Sequence, residues 1–140
     1  QELIPTRRDM HSNALLYVTI AQARVYGEGS GYRAYCSPQI RAINTSHKTL
    51  EDLIVGISYK TSDNKNIGST VTRFSWVKAG KEDTHYFYST INADHCSGLI
   101  GEMEVLLCRY DNGEDCIKDV RTVDYGAVPL RIMEKNKEIN

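Results

Sequence analysis

Several things are scarce or missing in this chain of 140 residues. No apolar run approaches the eighteen or more residues that a membrane-crossing helix needs, so no membrane insertion is expected. Neither sign of charge dominates, since 17 basic and 18 acidic residues leave a net charge of -1. Without a basic footprint the chain has no electrostatic hold on nucleic acid or on an anionic membrane, and its expected partners are proteins or neutral ligands. Trp and Phe are also scarce, at one and two copies against nine of Tyr. Tyr serves both core edges and contact surfaces, so this excess points toward binding.

The motifs of catalysis and metal binding are absent as well. No C-x-x-C is present, which removes the usual short-spaced zinc ligands and the thioredoxin-like redox pair. The four histidines, His11, His47, His85 and His95, form no H-x-x-x-H pair and flank no Gly-rich nucleophile turn. The best local candidate for catalysis is "ADHCSG", where Asp94, His95, Cys96 and Ser97 crowd together. Groups of a catalytic triad converge from different directions, so neighbours in sequence read instead as a polar turn carrying a disulfide cysteine. Asp63 and Asp111 are explained by hairpin turns without calcium or acid-base work. No catalytic residue, metal or cofactor is expected, and the chain reads as non-enzymatic. Asn44 opens "NTS", the acceptor pattern for N-glycosylation.

Four cysteines are present, an even number. In "CRYDNGEDC" a three-residue loop Asp111-Asn112-Gly113 suits a type I turn followed by a residue with positive φ, for which Gly is the natural choice. Counting outward pairs Tyr110 with Glu114, Arg109 with Asp115 and Cys108 with Cys116. Directly opposed positions lie about 4.5–5.5 Å apart at Cβ, within reach of a disulfide. If Cys108 bonds Cys116, Cys36 is left to Cys96, although four cysteines allow three connectivities. Disulfides persist in oxidising compartments, so a secreted or periplasmic protein is expected. The chain begins Gln1-Glu2 without an initiator Met, as a processed export product does.

A single domain over 1–140 is expected, with polar ends at about 1–13 and 134–140, and its length suffices to bury about two-thirds of the unfolded surface. The periodicity is almost entirely that of strands. Candidates run over Leu15–Val25, Gln39–Asn44, Asp52–Lys60, Ile67–Val77, Thr84–Ile91, Glu102–Tyr110, Cys116–Val123 and Val128–Met133, separated by turn clusters such as "SDNKN" and "AGKED". Short strands at near-regular spacing predict an all-β, antiparallel sandwich stabilised by disulfides. Alternation places Leu16, Val18 and Ile20 on one face, Leu53, Val55, Ile57 and Tyr59 inward, and Met103, Val105 and Leu107 inward. Phe74 and Trp76 share a face expected inside, with Val71 and Val77 on the other.

The runs "IRAINTSHKTLEDLIVGISYKTSDNKNIGS", "VKAGKEDTHYFYSTI" and "GEMEVLLCRY", between Ile40 and Tyr110, resemble exported bacterial domains with an immunoglobulin-like or fibronectin type III-like sandwich. With the cysteine pattern they are also similar to the small secreted interleukin receptor mimic proteins of pathogenic enterobacteria. That resemblance implies a virulence factor that binds host cytokines without catalysis, and a homodimer formed by strand exchange. The glycines of "YGEGSGY", Tyr26–Tyr32, would supply a hinge for such an exchange. The alternative function is a periplasmic inhibitor or immunity protein that neutralises a toxin or hydrolase. In "THYFYSTI", Phe87 and Ile91 form the natural core pair, which leaves Tyr86 and Tyr88 outward as the candidate protein-binding residues.

Overall fold

Strand-forming runs and turn clusters assemble here into two four-stranded sheets that share one hydrophobic core. The computed structural model describes residues 16–26, 35–87, 91, 93, 95–124 and 128–133. Among these the strands are β1 (Leu16–Tyr26), β2 (Tyr35–Asn44), β3 (Leu50–Lys60), β4 (Asn66–Val77), β5 (Glu82–Tyr86), β6 (Ile100–Tyr110), β7 (Val120–Thr122) and β8 (Leu130–Ile132). A 3₁₀ turn at Ile117–Asp119 precedes β7. One sheet has the order β5-β2-β1-β7, the other β4-β3-β6-β8. All pairings are antiparallel except β1 with β7 and β6 with β8.

Inward alternation behaves as the pattern predicts over most of the length. Leu16, Val18 and Ile20 meet Leu53, Val55, Ile57, Tyr59, Phe74, Met103 and Val105 in one buried cluster. Each such side chain contributes about 1.5–3 kcal/mol by leaving water. Gly101 is wedged among them, because a Cβ there would lie 3.0 Å from Leu130 Cδ1, 3.2 Å from Ile57 Cγ2 and 3.4 Å from Ile20 Cδ1. Its lack of a side chain lets β8 close over β3 and β1.

Two disulfides tie the strands together, Cys36 to Cys96 and Cys108 to Cys116. The second forms as the hairpin count requires. Tyr110 N donates to Glu114 O at 2.9 Å, Gly113 N donates to Tyr110 O at 3.0 Å, and Gly113 takes φ 89°. Arg109 bridges to Asp115, and Cys116 N donates to Cys108 O at 3.1 Å. The β3–β4 hairpin uses the same design, with Thr61 N donating to Lys65 O at 3.0 Å and Asn64 taking φ 69° in the place of Gly113. Asp63 there accepts from the Thr61 hydroxyl, which with its backbone hydrogen bond holds its carboxyl below the ordinary value. Both turn aspartates thus sit where loop geometry asks for them.

Four expectations need correction. Trp76 is 63 % exposed, not inside, and Val77 next to it is buried. The cause is backbone: Trp76 has φ 57°, which breaks the alternation after Phe74. Leu107 is half-buried and Cys108 faces in, because Ile54 pairs with Leu107 while Val55 pairs with Val105, leaving Leu106 as an extra residue. Such a bulge inverts the phase of everything after it. The strand expected over Thr84–Ile91 is shorter and earlier, Glu82–Tyr86, although Ile91 still pairs with Cys36 as an isolated bridge. The strand expected over Cys116–Val123 is split into the 3₁₀ turn and the three residues of β7. The polar ends, Tyr88, and the glycines of the expected hinge lie outside the described residues.

Candidate functional site

Strand order decides which backbone is left open. β4 is one edge of its sheet and β5 one edge of the other, and the chain passes directly from one to the other. The two edges therefore lie on one side of the sandwich. An edge strand carries unpaired N–H and C=O groups, and proteins blunt such edges with Pro, charge or short length. β5 is short and carries Glu82 and Asp83. β4 runs for 12 residues with a single charge, Arg73.

That charge is neutralised within the outer face of its own sheet. Arg73 grips Asp52 through Nε to Oδ1 at 2.6 Å and Nη2 to Oδ2 at 2.9 Å, while Ser75 Oγ donates to Oδ1 at 3.1 Å. Arg109 Nη2 reaches Oδ2 from β6 at 3.3 Å. The Arg73 hydrogen bonds, helped by Ser75 and by both guanidinium charges, hold the Asp52 carboxyl below its ordinary value against the opposing effect of burial. β3, β4 and β6 are thereby clamped where β4 would otherwise be free to peel away.

The corner between β4 and β5 is pinned by one buried side chain. Asn44 Nδ2 donates to Val77 O at 2.9 Å and to Lys48 O at 2.8 Å, while its Oδ1 accepts from Ser46 N at 2.9 Å and Ser46 Oγ at 2.6 Å. Its backbone N donates to Lys81 O and its O accepts from Gly80 N, so the chain is held on both sides of the Lys78–Lys81 turn. Asn44 is 0 % exposed. An amide nitrogen so enclosed is closed to glycosylation in the folded protein, and the Asn of "NTS" is a structural hub.

Between the two edges, His85 closes the sandwich. Its ring stacks on Phe74 at 4.4 Å, Nδ1 shares a hydrogen bond of 2.6 Å with Thr72 Oγ1, and Nε2 lies 3.3 Å from Asp83 Oδ2. A carboxylate only accepts, so Nε2 is the donor toward Asp83. Hydroxyl, imidazole and carboxylate stand in the order of an acyl-transfer triad, a convergence that sequence spacing did not reveal. Thr72 is only 4 % exposed and the imidazole stacks on the fully buried Phe74 ring, so the hydroxyl lies under the histidine. The arrangement works as a clasp joining β4 to β5.

Of the two candidate tyrosines, Tyr86 ends β5, pairs with Gln39 and is 56 % exposed on the outer face of its sheet. Tyr88 lies outside the described residues, so the pair is not brought together here. Among the described residues four large hydrophobic side chains are exposed: Val71, Trp76, Tyr86 and Leu106. The first three stand on β4 and β5. Val71 was legible only as the outward partner of Phe74. Trp76 was missed because nothing around it in "FSWVKAG" signals a left-handed residue.

At the pinned corner the exposed indole of Trp76 walls a cleft of about 440 Å³, with Ser75, Lys78, Lys81, Glu82 and Asp83 around it. Glu82 pairs with Arg41 at 3.3 Å, and Asp83 Oδ1 accepts from Thr84 N at 3.0 Å. Among the described residues neither Lys78 nor Lys81 makes an ion pair. Elsewhere, His95 Nδ1 bonds the carbonyl of Ser97 at 3.1 Å, and Cys96 is committed to its disulfide, so that stretch forms a turn. No three His, Cys, Asp or Glu side chains converge as a metal set among the described residues, and no helix there is long and apolar enough to cross a membrane. No family model, curated protein or solved structure matches this chain.

Proposed function

We propose that this chain is a non-enzymatic protein-recognition module of an oxidising compartment, secreted or periplasmic, and that it grips its partner along the open β4–β5 side. One observation carries the reading: three of the four exposed large hydrophobics among the described residues stand on β4 and β5, two of the four edge strands and both on one side of the sandwich. Exposed aromatic and aliphatic side chains beside unpaired backbone are the ingredients of strand-addition recognition, where main-chain hydrogen bonds give affinity and side chains give selectivity. Both disulfides suit the compartment.

The narrower reading is a cytokine-receptor-like module that binds host cytokines. It is supported by how the strands are shared out, since the first, second and fifth lie in one sheet and the third, fourth and sixth in the other, as in immunoglobulin-like sandwiches. The chain departs from that pattern at its end, where β7 and β8 both pair in parallel.

The test immobilises the oxidised protein and offers it purified host cytokines in one arm and bacterial toxins and cell-wall hydrolases in the other. Val71→Ser/Tyr86→Ser should weaken the retained partner at least about tenfold, a loss of about 1.4 kcal/mol, with the melting temperature unchanged. Retention of a hydrolase with inhibition of its activity would favour the inhibitor reading. Equal binding by parent and double variant would remove the β4–β5 side from the account.

A further inference from the structure

The β4–β5 side ends at a corner that exposes an aromatic ring at a cost to folding. Trp76, the only Trp of the chain, stands there 63 % exposed at φ 57°. A bulky L-residue is strained in that region of backbone, and Gly or Asn would relieve the strain. So little of the indole is buried that packing does not offset it, and strain of this kind points to a use of the position in binding. The ring also stands on a fixed base, because Asn44 holds the carbonyl of Val77 through Nδ2 and that of Lys81 through its backbone N. A preformed anchor binds without first having to be ordered, and Trp is among the side chains in which binding energy concentrates.

The charges around that ring are answered within the chain, with one exception. Asp52 is held by Arg73, Ser75 and Arg109, which also occupies the Ser75 hydroxyl. Glu82 pairs with Arg41, and Asp83 accepts from Thr84 N and His85 Nε2. Val77, nearly buried, adds an apolar part to the lining of the cleft. What remains is the indole and the exposed ammonium groups of Lys78 and Lys81, neither of them in an ion pair among the described residues. Arg41, Lys78 and Lys81 against Glu82 and Asp83, three cations against two carboxylates, leave the corner with one net positive charge. At the far end of β4, Lys65 stands near Asp63, whose carboxyl is held low first by the Thr61 hydroxyl, then by its own backbone bond and that lysine's charge. The open edge is thus cation-rich at its Trp76 end.

This asymmetry selects a partner. A basic segment would set like charge against two unpaired lysines, and a neutral one would leave them unused; an acidic segment supplies the counter-charge that the chain itself withholds. Two ammonium groups are too few to hold a nucleic-acid backbone, whose affinity grows with the number of phosphates neutralised. Because β4 runs directly into Trp76 and then Lys78, an extended segment pairing with the edge of β4 passes the indole and carries its next residues to the lysines. Resting on recognition along the β4–β5 side, we propose that the partner presents an acidic extended segment, with Trp76 as its anchor and Lys78 and Lys81 as counter-charges for carboxylates flanking the paired stretch.

The probes are three dye-labelled peptides that share the strand-forming centre Thr-Val-Thr-Val-Thr and end on both sides in Glu-Glu, Ser-Ser or Lys-Lys, so that either strand direction brings an end to the corner. By fluorescence anisotropy with the oxidised full chain, the Glu-Glu peptide should bind about tenfold tighter than the Ser-Ser peptide, as two exposed ion pairs allow, and the Lys-Lys peptide most weakly. The preference should shrink several-fold between about 0.05 and 0.5 M salt, as screening shortens. Lys78→Glu/Lys81→Glu should reverse the order of the peptides, which a merely structural role of the lysines would not do. Trp76→Asn, which suits the left-handed backbone and is expected to fold, should weaken the Glu-Glu peptide at least about tenfold. Equal binding of the three peptides, no binding of the Glu-Glu peptide up to about 1 mM, an unchanged order in the charge-reversed variant, or equal competition by an oligothymidylate would overturn the acidic partner. The two readings fail separately. Equal binding of all three with protection of β4 amides from exchange keeps the edge and removes the acidic partner, whereas oligoglutamate that binds as tightly as the Glu-Glu peptide and leaves β4 exchange unchanged keeps the acidic corner and removes the edge.

Discussion

Replacing Asn44 by Ala should be among the most damaging polar substitutions in this chain, although it removes no charge and only a small volume. The amide makes four hydrogen bonds from a fully buried position. Lys48 O keeps a partner in Ser46 Oγ at 2.9 Å, but Val77 O and Ser46 N lose the side-chain partners that Asn44 gave them. Each buried polar group left unpaired costs about 1–3 kcal/mol, so a loss of about 2–5 kcal/mol is expected, a large part of the roughly 5–15 kcal/mol typical of a domain. For a chain of this size that corresponds to a melting temperature lower by about 10 °C. The assay is thermal and urea unfolding followed by circular dichroism with both disulfides intact.

Asn44→Asp sharpens the test. It keeps the acceptor for Ser46 but sets a carboxylate against two carbonyl oxygens, so at neutral pH it should be at least as damaging as Ala. Burial beside those carbonyls raises the carboxyl pKa in the folded state. The neutral acid, which can donate one hydrogen bond, should therefore recover stability relative to the Ala variant as the pH falls below about 5. An Ala variant that loses less than about 1 kcal/mol, or an Asp variant as stable as the parent at neutral pH, would refute the view of Asn44 as the hub of the corner.

The remaining expectations follow the same logic. A non-reduced digest should contain a Cys108–Cys116 peptide, and replacing that pair by Ala should lower stability by about 2.6 kcal/mol against about 4.3 kcal/mol for Cys36 and Cys96, read as urea midpoints; alkylation of these thiols in the untreated protein would contradict both. Because the folded-state pKa of Asp52 is depressed, chiefly by Arg73, its stabilising effect is complete above its ordinary 3.8 and fades as the pH falls below that value. Melting temperatures should thus fall less steeply from pH 5 toward pH 2 (about the titration range of carboxylates) in Asp52→Asn than in the parent, and parallel curves would count against the clamp. Gly101→Ala should destabilise by about 1–3 kcal/mol, since Leu130, Ile57 and Ile20 all crowd the new methyl; a neutral result would mean that β8 yields without cost.

The strands were legible because most have one buried face, and the alternation of Leu53, Val55, Ile57 and Tyr59 survives intact in the structure. What misled was the run Val105-Leu106-Leu107, where apolar residues on both sides conceal a bulge. A two-residue periodicity is read correctly only if no residue is inserted, and Leu106 is such an insertion. The hairpins were legible from loop chemistry, since Asp111-Asn112-Gly113 suits one turn and Gly113 takes the positive φ it implies. Trp76 takes a positive φ with no Gly or Asn to announce it. The contact of His85 with Thr72 and Phe74 joins strands of different sheets, and no local pattern encodes which edge strands will meet. That Tyr86 faces outward was legible from alternation alone, which sufficed because β5 has no bulge against β2.

The most direct test of the central claim is amide hydrogen exchange by mass spectrometry on the protein with and without the partner captured in the binding assay. Recognition along the β4–β5 side predicts new protection in Asn66–Val77 and Glu82–Tyr86, the two edge strands of that side, and little change in β1 or β6, which are already paired on both sides. Protection centred on β7 and β8, or spread evenly over the chain, would contradict it.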